Sequence, residues 1–232
     1  MRGELMGSAT KICASIKAPT IEEFEEKAEK ALEMGADLIE FRLDYLQKID
    51  LKNIAGLLEK FAEKSIFTLR PTWEGGYFSG GEEKRLNILA KISEMNPAYI
   101  DMELDSSSVE RKAHEIREKA KLIISKHDFD GSLNVGSLRE LASKALKLGE
   151  IAKIVVSAKS FSDNLKILSL YDVFPTNKLI AFAMGERGII SRIVSSLIGA
   201  PIAYACLPGE EIAPGQLSVR DLKKILELAR GK

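Results

Sequence analysis

Eight short β-branched or apolar runs, at 11–17, 37–44, 65–70, 99–105, 121–128, 151–158, 179–185 and 202–207, alternate along the chain with eight amphipathic stretches. Those stretches cover 21–34, 54–63, 82–94, 109–119, 138–148, 163–171, 189–198 and 219–230, with apolar residues at helical spacing. Strand then helix, repeated, gives a parallel sheet. Eight such units in 232 residues predict an α/β fold closed as a single (β/α)₈ TIM barrel, with an open doubly wound sheet as the alternative. Thr20 with Glu23 and Ser137 with Glu140 fit the capping box, and Gly35 and Gly149 stand where a helix should stop. No composition shift, Pro/Ser-rich linker or low-complexity tract divides the chain, so residues 1–232 read as one barrel domain.

Charge narrows the function classes. Thirty-four basic residues balance thirty-four acidic ones, which leaves no net field to attract nucleic acid or an anionic membrane. Cys13 and Cys206 make neither a disulfide framework nor a metal-ligand spacing, and with only His114 and His127 to add, a metal centre is not expected. Both cysteines sit in apolar runs and read as small core residues. The N-terminus lacks the long apolar core of a signal peptide, and no apolar segment reaches about 18 residues. A cytoplasmic protein acting on a small molecule follows by elimination.

The ligand site of such a barrel forms at the C-terminal ends of its strands. The sixth run is apolar except for Lys153. Burial penalises the charged form of an amine, which is how a lysine becomes a nucleophile near neutral pH. Pairing with a carboxylate, or snorkelling to the rim, is the structural alternative. In the second run Leu38, Glu40, Arg42 and Asp44 share one face, a polar set pointed at a ligand or at a salt-bridged interior. The third run ends at Arg70 and enters a glycine-rich loop through Glu74, Gly75 and Gly76, which permits close backbone approach or a mobile flap. Asp101 and Glu103 share a face of the fourth run and could partner a cation inside the barrel. His127 ends the fifth, where proton transfer is done, whereas His114 reads as solvated surface. Arg192 opens the seventh helix, as a carboxylate clamp or an exposed helix arginine. The loop 208–216 carries two Pro-Gly turns and could close over the mouth.

Taken together, Glu40-Phe41-Arg42 with Asp44, the segment Leu69 to Gly76, Lys126 to Phe129, Ala152-Lys153-Ile154, Met184-Gly185 with Ser191-Arg192, and Ala213 to Gln216 resemble type I 3-dehydroquinate dehydratase. This is the Schiff-base enzyme of the shikimate pathway, and the resemblance covers nearly the whole chain. It implies that Lys153 forms an imine with 3-dehydroquinate and that His127 is the general acid/base, oriented by Glu74. It also implies that Glu40, Arg42, Arg70, Arg192 and Gln216 hold the substrate's hydroxyls and carboxylate, that Met184 lines the pocket and that Ser15 contributes. No metal or diffusible cofactor is implied, and the assembly implied is a homodimer. One position departs from the family pattern: Ile212 stands where a serine often precedes Ala-Pro-Gly-Gln. Two other readings stay open. A class I aldolase would show a phosphate-binding turn after the seventh and eighth strands, for which 184–188 is a poor candidate. A barrel that only binds ligand has no physical reason to keep a buried amine beside an acid/base pair.

Overall fold

The computed structural model describes residues 10–231; the N-terminal stretch examined for a signal sequence lies outside the described residues, as does Lys232. Eight strands are present: β1 (Lys11–Ile16), β2 (Leu38–Arg42), β3 (Ser65–Thr68), β4 (Tyr99–Glu103), β5 (Lys121–Asp128), β6 (Ile151–Ser157), β7 (Leu179–Met184) and β8 (Ile202–Ala205). Every ladder is parallel, and the order runs β7-β6-β5-β4-β3-β2-β1-β8, with Lys11 of β1 in register with Ile202 of β8. A sequential order that returns the last strand to the first is a barrel, whereas a doubly wound sheet reverses at a switch point. The two edges are β7 and β8. Pro201, which has no N–H to donate, precedes β8, and its carbonyl accepts from the Lys11 N–H.

The helices are α1 (Ile21–Glu33), α2 (Leu51–Phe61), α3 (Glu82–Ser93), α4 (Val109–Arg117), α5 (Val135–Leu148), α6 (Asp163–Leu168), α7 (Ile189–Ile198) and α8 (Val219–Ala229). The Thr20 side chain accepts from the Glu23 N–H, as expected of a cap. At the C-terminus of α1, Gly35 adopts φ +95° and the Ala36 N–H reaches Ala31 O, a closing geometry that favours glycine. The cap expected at Ser137 is instead Asn134, whose Oδ1 accepts from the Ser137 N–H at 3.0 Å. Asparagine caps at least as well as serine, so the helix starts one turn earlier. Asp50 likewise opens α2 three residues ahead of the expected start. Several apolar runs outlast their strands: β2 gives way to a 3₁₀ turn at Leu43–Tyr45, and Arg70 lies beyond the end of β3.

Alternation sorts the side chains. Ile39, Phe41 and Leu43 point outward into the layer between sheet and helices, while Leu38, Glu40 and Arg42 point into the barrel. Inside, Cys13, Leu38, Ile66, Ile123 and Ile180 make an apolar floor near the strand starts. Polar side chains fill the space above it. Phe41 stacks on Phe67 at 5.1 Å between ring centroids and meets the edge of Phe24 at 5.6 Å, fixing α1 to the sheet. Phe41→Ala should therefore cost about 3–5 kcal/mol of stability. Urea unfolding checks this, and a loss below about 1 kcal/mol would mean the outer layer collapses around the missing ring.

Candidate active site

A cavity of about 250 Å³ opens at the C-terminal ends of the strands. All ten residues singled out from the sequence, Ser15, Glu40, Arg42, Arg70, Glu74, His127, Lys153, Met184, Arg192 and Gln216, line it. They arrive from seven of the eight barrel units. Convergence of this kind follows from the parallel sheet, because every strand delivers its last inward residue to the same rim.

Lys153 comes from the middle of β6, where the flanking residues are all buried and the side chain can extend only along the barrel axis. Its Nζ donates to Asp101 Oδ2 at 2.9 Å, lies 3.5 Å from Glu40 Oε1, and sits 3.9 Å above the centre of the Tyr204 ring. The lysine thus does pair with carboxylates, and it does so inside the cavity instead of at the rim. Glu40 bridges strands: Ser15 Oγ donates to Oε2 at 2.5 Å and Thr68 Oγ1 to Oε1 at 2.8 Å. Burial would raise its carboxyl, but the Lys153 and Arg42 charges and the Ser15 hydrogen bond together hold it below its ordinary value.

His127 leaves the end of β5 with its ring stacked on Phe129, and its Nδ1 lies 2.9 Å from Glu74 Oε2. Glu74 is carried by the loop after β3. Gly75 there takes φ +74°, and a Cβ on Gly76 would come within 2.1 Å of Arg70 O, so the loop folds tightly back on itself. The glycines serve close approach. Burial first, then the Arg70 and Lys153 charges, push the imidazole well below its ordinary 6.5. Burial raises the Glu74 carboxyl, against Arg70 and Lys126. The pair therefore presents a neutral imidazole backed by an acceptor, the form a general base requires.

The arginines divide by what answers them. Arg42 is held bidentate by Asp44 at 2.8 and 2.7 Å. Arg70 donates to Glu103 at 2.6 Å, Ser125 at 2.7 Å and Asp101 at 2.9 Å, so its guanidinium is taken up inside the protein. Arg192 has no such partner. It is 7% exposed, lies against the face of Phe182 at 4.3 Å, and its Nε is buried without a hydrogen bond among the described residues. Burial pulls its pKa down to about 10. A desolvated cation that no carboxylate among the described residues neutralises is poised for an anionic ligand. Gln216 anchors the loop after β8: its Oε1 accepts from the Ile212 N–H and its Nε2 donates to Ala205 O, both at 2.9 Å. Ile212 and Met184 supply apolar wall.

Tyr204 and Phe182, which face the lysine and Arg192, escaped the sequence reading. Both belong to apolar runs where an inward aromatic looks like core. Asp101 and Glu103 were visible as an alternating acidic pair, without the partners that give them meaning.

The sequence profile of the family described as Type I 3-dehydroquinase matches residues 12–232. A 3-dehydroquinate dehydratase of Methanocaldococcus jannaschii is 38% identical over 221 residues, spanning 94% of this chain and 98% of its own. The crystal structure of 3-dehydroquinate dehydratase from Geobacillus kaustophilus is similar with a TM-score of 0.87 at 26% identity, covering 97% of this chain and 93% of that one. The one from Aquifex aeolicus gives 0.82 at 28% identity, covering 94% and 98%.

The unfolded imidazole takes up a proton near 6.5 and the folded one only well below it. His127 hence contributes stability that is present above that value and is lost as the pH falls. The difference in unfolding free energy between wild type and His127→Asn should shrink on acidification below neutrality. Parallel pH curves for the two proteins would show that the imidazole is not held neutral.

Proposed function

Since the chain belongs to the type I 3-dehydroquinase family, we propose that it removes water from 3-dehydroquinate through an imine on Lys153, giving 3-dehydroshikimate in the shikimate pathway. One observation carries the reading: a buried amine shares its cavity with a buried guanidinium that has no carboxylate of its own among the described residues. A ketone that also bears a carboxylate answers both. Dehydroquinate has its ketone two carbons from a tertiary hydroxyl, and loss of water requires taking a weakly acidic proton from the carbon between them. Attack of the Lys153 nitrogen on the ketone and loss of the carbonyl oxygen as water give an iminium. Deprotonation then yields a neutral enamine in place of an exposed enolate.

His127 takes that proton and returns one to the departing hydroxyl. Such acid/base help is worth about 10²–10⁴-fold, and the imine and positioning supply the rest. Glu74 orients the imidazole. Arg192 pairs with the substrate carboxylate, which fixes the face presented. Ser15, Glu40 and Arg42 meet hydroxyls at the cavity wall, Arg70 holds the acids in register beside them, and Met184 packs on the ring. Gln216 acts through the loop it anchors, with one amide proton left for substrate. The reaction draws on protein groups alone. An aldolase reading is weakened by the turn at 185–188, whose Arg187 donates to Lys159 O and forms no part of the cavity lining.

The same groups all come from one barrel, which supports residues 1–232 as a single catalytic domain. Buried, unpaired Cys13 and Cys206 suit a reducing compartment, in support of a cytoplasmic location that cell fractionation can check. Among the described residues no helix is long and apolar enough to cross a membrane. We further propose that the protein is a homodimer joined through α7. This helix is inverted: Ser191, Arg192, Ser195 and Ser196 face the barrel, while Ile190, Leu197 and Ile198 are exposed. The outer face carries no charge, so two copies meet without repulsion.

Borohydride reduction with saturating 3-dehydroquinate should leave an adduct that peptide mapping finds on Lys153. Lys153→Ala should stay folded and lose nearly all turnover, and Arg192→Ala should raise KM. A folded wild type that yields no adduct would defeat the imine. For assembly, Ile190→Glu should convert a dimer to a monomer in sedimentation; a wild-type monomer, or a mutant that stays dimeric, would move the interface elsewhere.

A further inference from the structure

We propose that Asp101 is the fixed counter-ion of the Lys153 nitrogen, a positioning residue that holds its positive charge from the resting ammonium through the iminium. The proposal rests on the imine reading. Asp101 stands on β4 beside the lysine. Its Oδ2 accepts from Lys153 Nζ at 2.9 Å, while Oδ1 accepts from Arg70 Nη2 at 2.9 Å and Ser125 Oγ at 2.6 Å. It is fully buried and forms no part of the cavity wall, so it is not placed to touch substrate. Glu40, the other carboxylate near the amine, is farther away, and hydroxyls from Ser15 and Thr68 already occupy both of its oxygens. Asp101 is the acid with one oxygen given to the amine alone.

The charge balance makes this position useful. One proton leaves the ammonium to free the lone pair that forms the carbon–nitrogen bond, a second follows from the adduct, and the carbonyl oxygen leaves as water with both. The nitrogen keeps one proton and the positive charge, so Asp101 faces the same charge before and after. Once the iminium stands, that charge leaves the nitrogen when His127 takes the carbon proton and the C–H electron pair flows toward nitrogen, leaving a neutral enamine and an imidazolium. It returns when the hydroxyl departs with the proton from His127. Arg70 joins the two stations: its Nη2 is on Asp101, and its Nη1 is 3.6 Å from the Glu74 oxygen that holds His127. Burial would raise the Asp101 carboxyl, but Arg70 and Lys153 outweigh it and hold it well below the usual range. It therefore remains an anion and does not take the proton itself. In a dry barrel such a fixed charge acts with little screening.

The test uses 3-dehydroshikimate, the conjugated product, whose imine absorbs at longer wavelength when protonated. Wild type and Asp101→Glu should both show the protonated band, the latter with reduced kcat because its carboxylate is displaced. Asp101→Asn should form the adduct with the shorter-wavelength band, with kcat lower by roughly 10²-fold and KM little changed. A protonated band or near wild-type kcat in folded Asp101→Asn overturns the proposal and leaves the imine intact. Absence of any adduct in wild type overturns both. If circular dichroism shows that Asp101→Asn does not fold, Ser125→Ala decides. It loosens Asp101 without removing charge, so it should keep the protonated band and lose several-fold in kcat; an unchanged kcat overturns the proposal.

Discussion

An arginine without water must be answered by carboxylates, and the upper barrel is organised around the answer to Arg70. Its guanidinium meets Glu103 at 2.6 Å, Asp101 at 2.9 Å and Glu74 at 3.6 Å. Glu103 in turn faces Arg85 of α3 at 2.5 Å, an ion pair whose angle is not that of a hydrogen bond. Burial pushes the Glu103 carboxyl up to about 7 even between two arginines. Each of these charges would cost several kcal/mol if left alone in the interior. The network therefore fixes β3, β4, β5 and α3 to one another, and the amine and the imidazole are held as members of it.

Much of the fold was legible because periodicity and turn chemistry are local. Thr20 and Gly35 could be read as helix boundaries from a few neighbours each, whereas the cap at Asn134 was hidden by an equally good serine three residues later. Strand ends were overrun because an apolar residue such as Leu43 stays buried after its ladder stops. In the candidate site, Lys153 was legible as the lone charge in an apolar run, and His127 by its place at a strand end.

What lay beyond reach depends on partners distant in sequence. Arg70 and Arg192 are alike as letters, yet one is saturated by acids from β4 and the other lies against the ring of Phe182. Nothing near either position distinguishes them. Gln216 reads as a substrate contact, and nothing near it in sequence tells that its amide also bridges Ile212 and Ala205. With Ile212 offering its backbone to that bridge, the hydroxyl absent from its side chain is no loss to the loop itself.

The open edge between β7 and β8 leaves the barrel with a joint. Seven of the eight seams are closed by ladders, and the eighth is spanned by side chains, among them Arg192, Phe182 and Tyr204 around one small void. Arg192 and the loop 208–216 are mounted on either side of that joint, while Lys153 and His127 sit on strands laddered on both sides. Arg192 and the mouth loop are thus tied across it by side chains and by a backbone bond from the Gly185 N–H to Pro214 O, not by a strand ladder. The strands of Lys153 and His127 lie away from it.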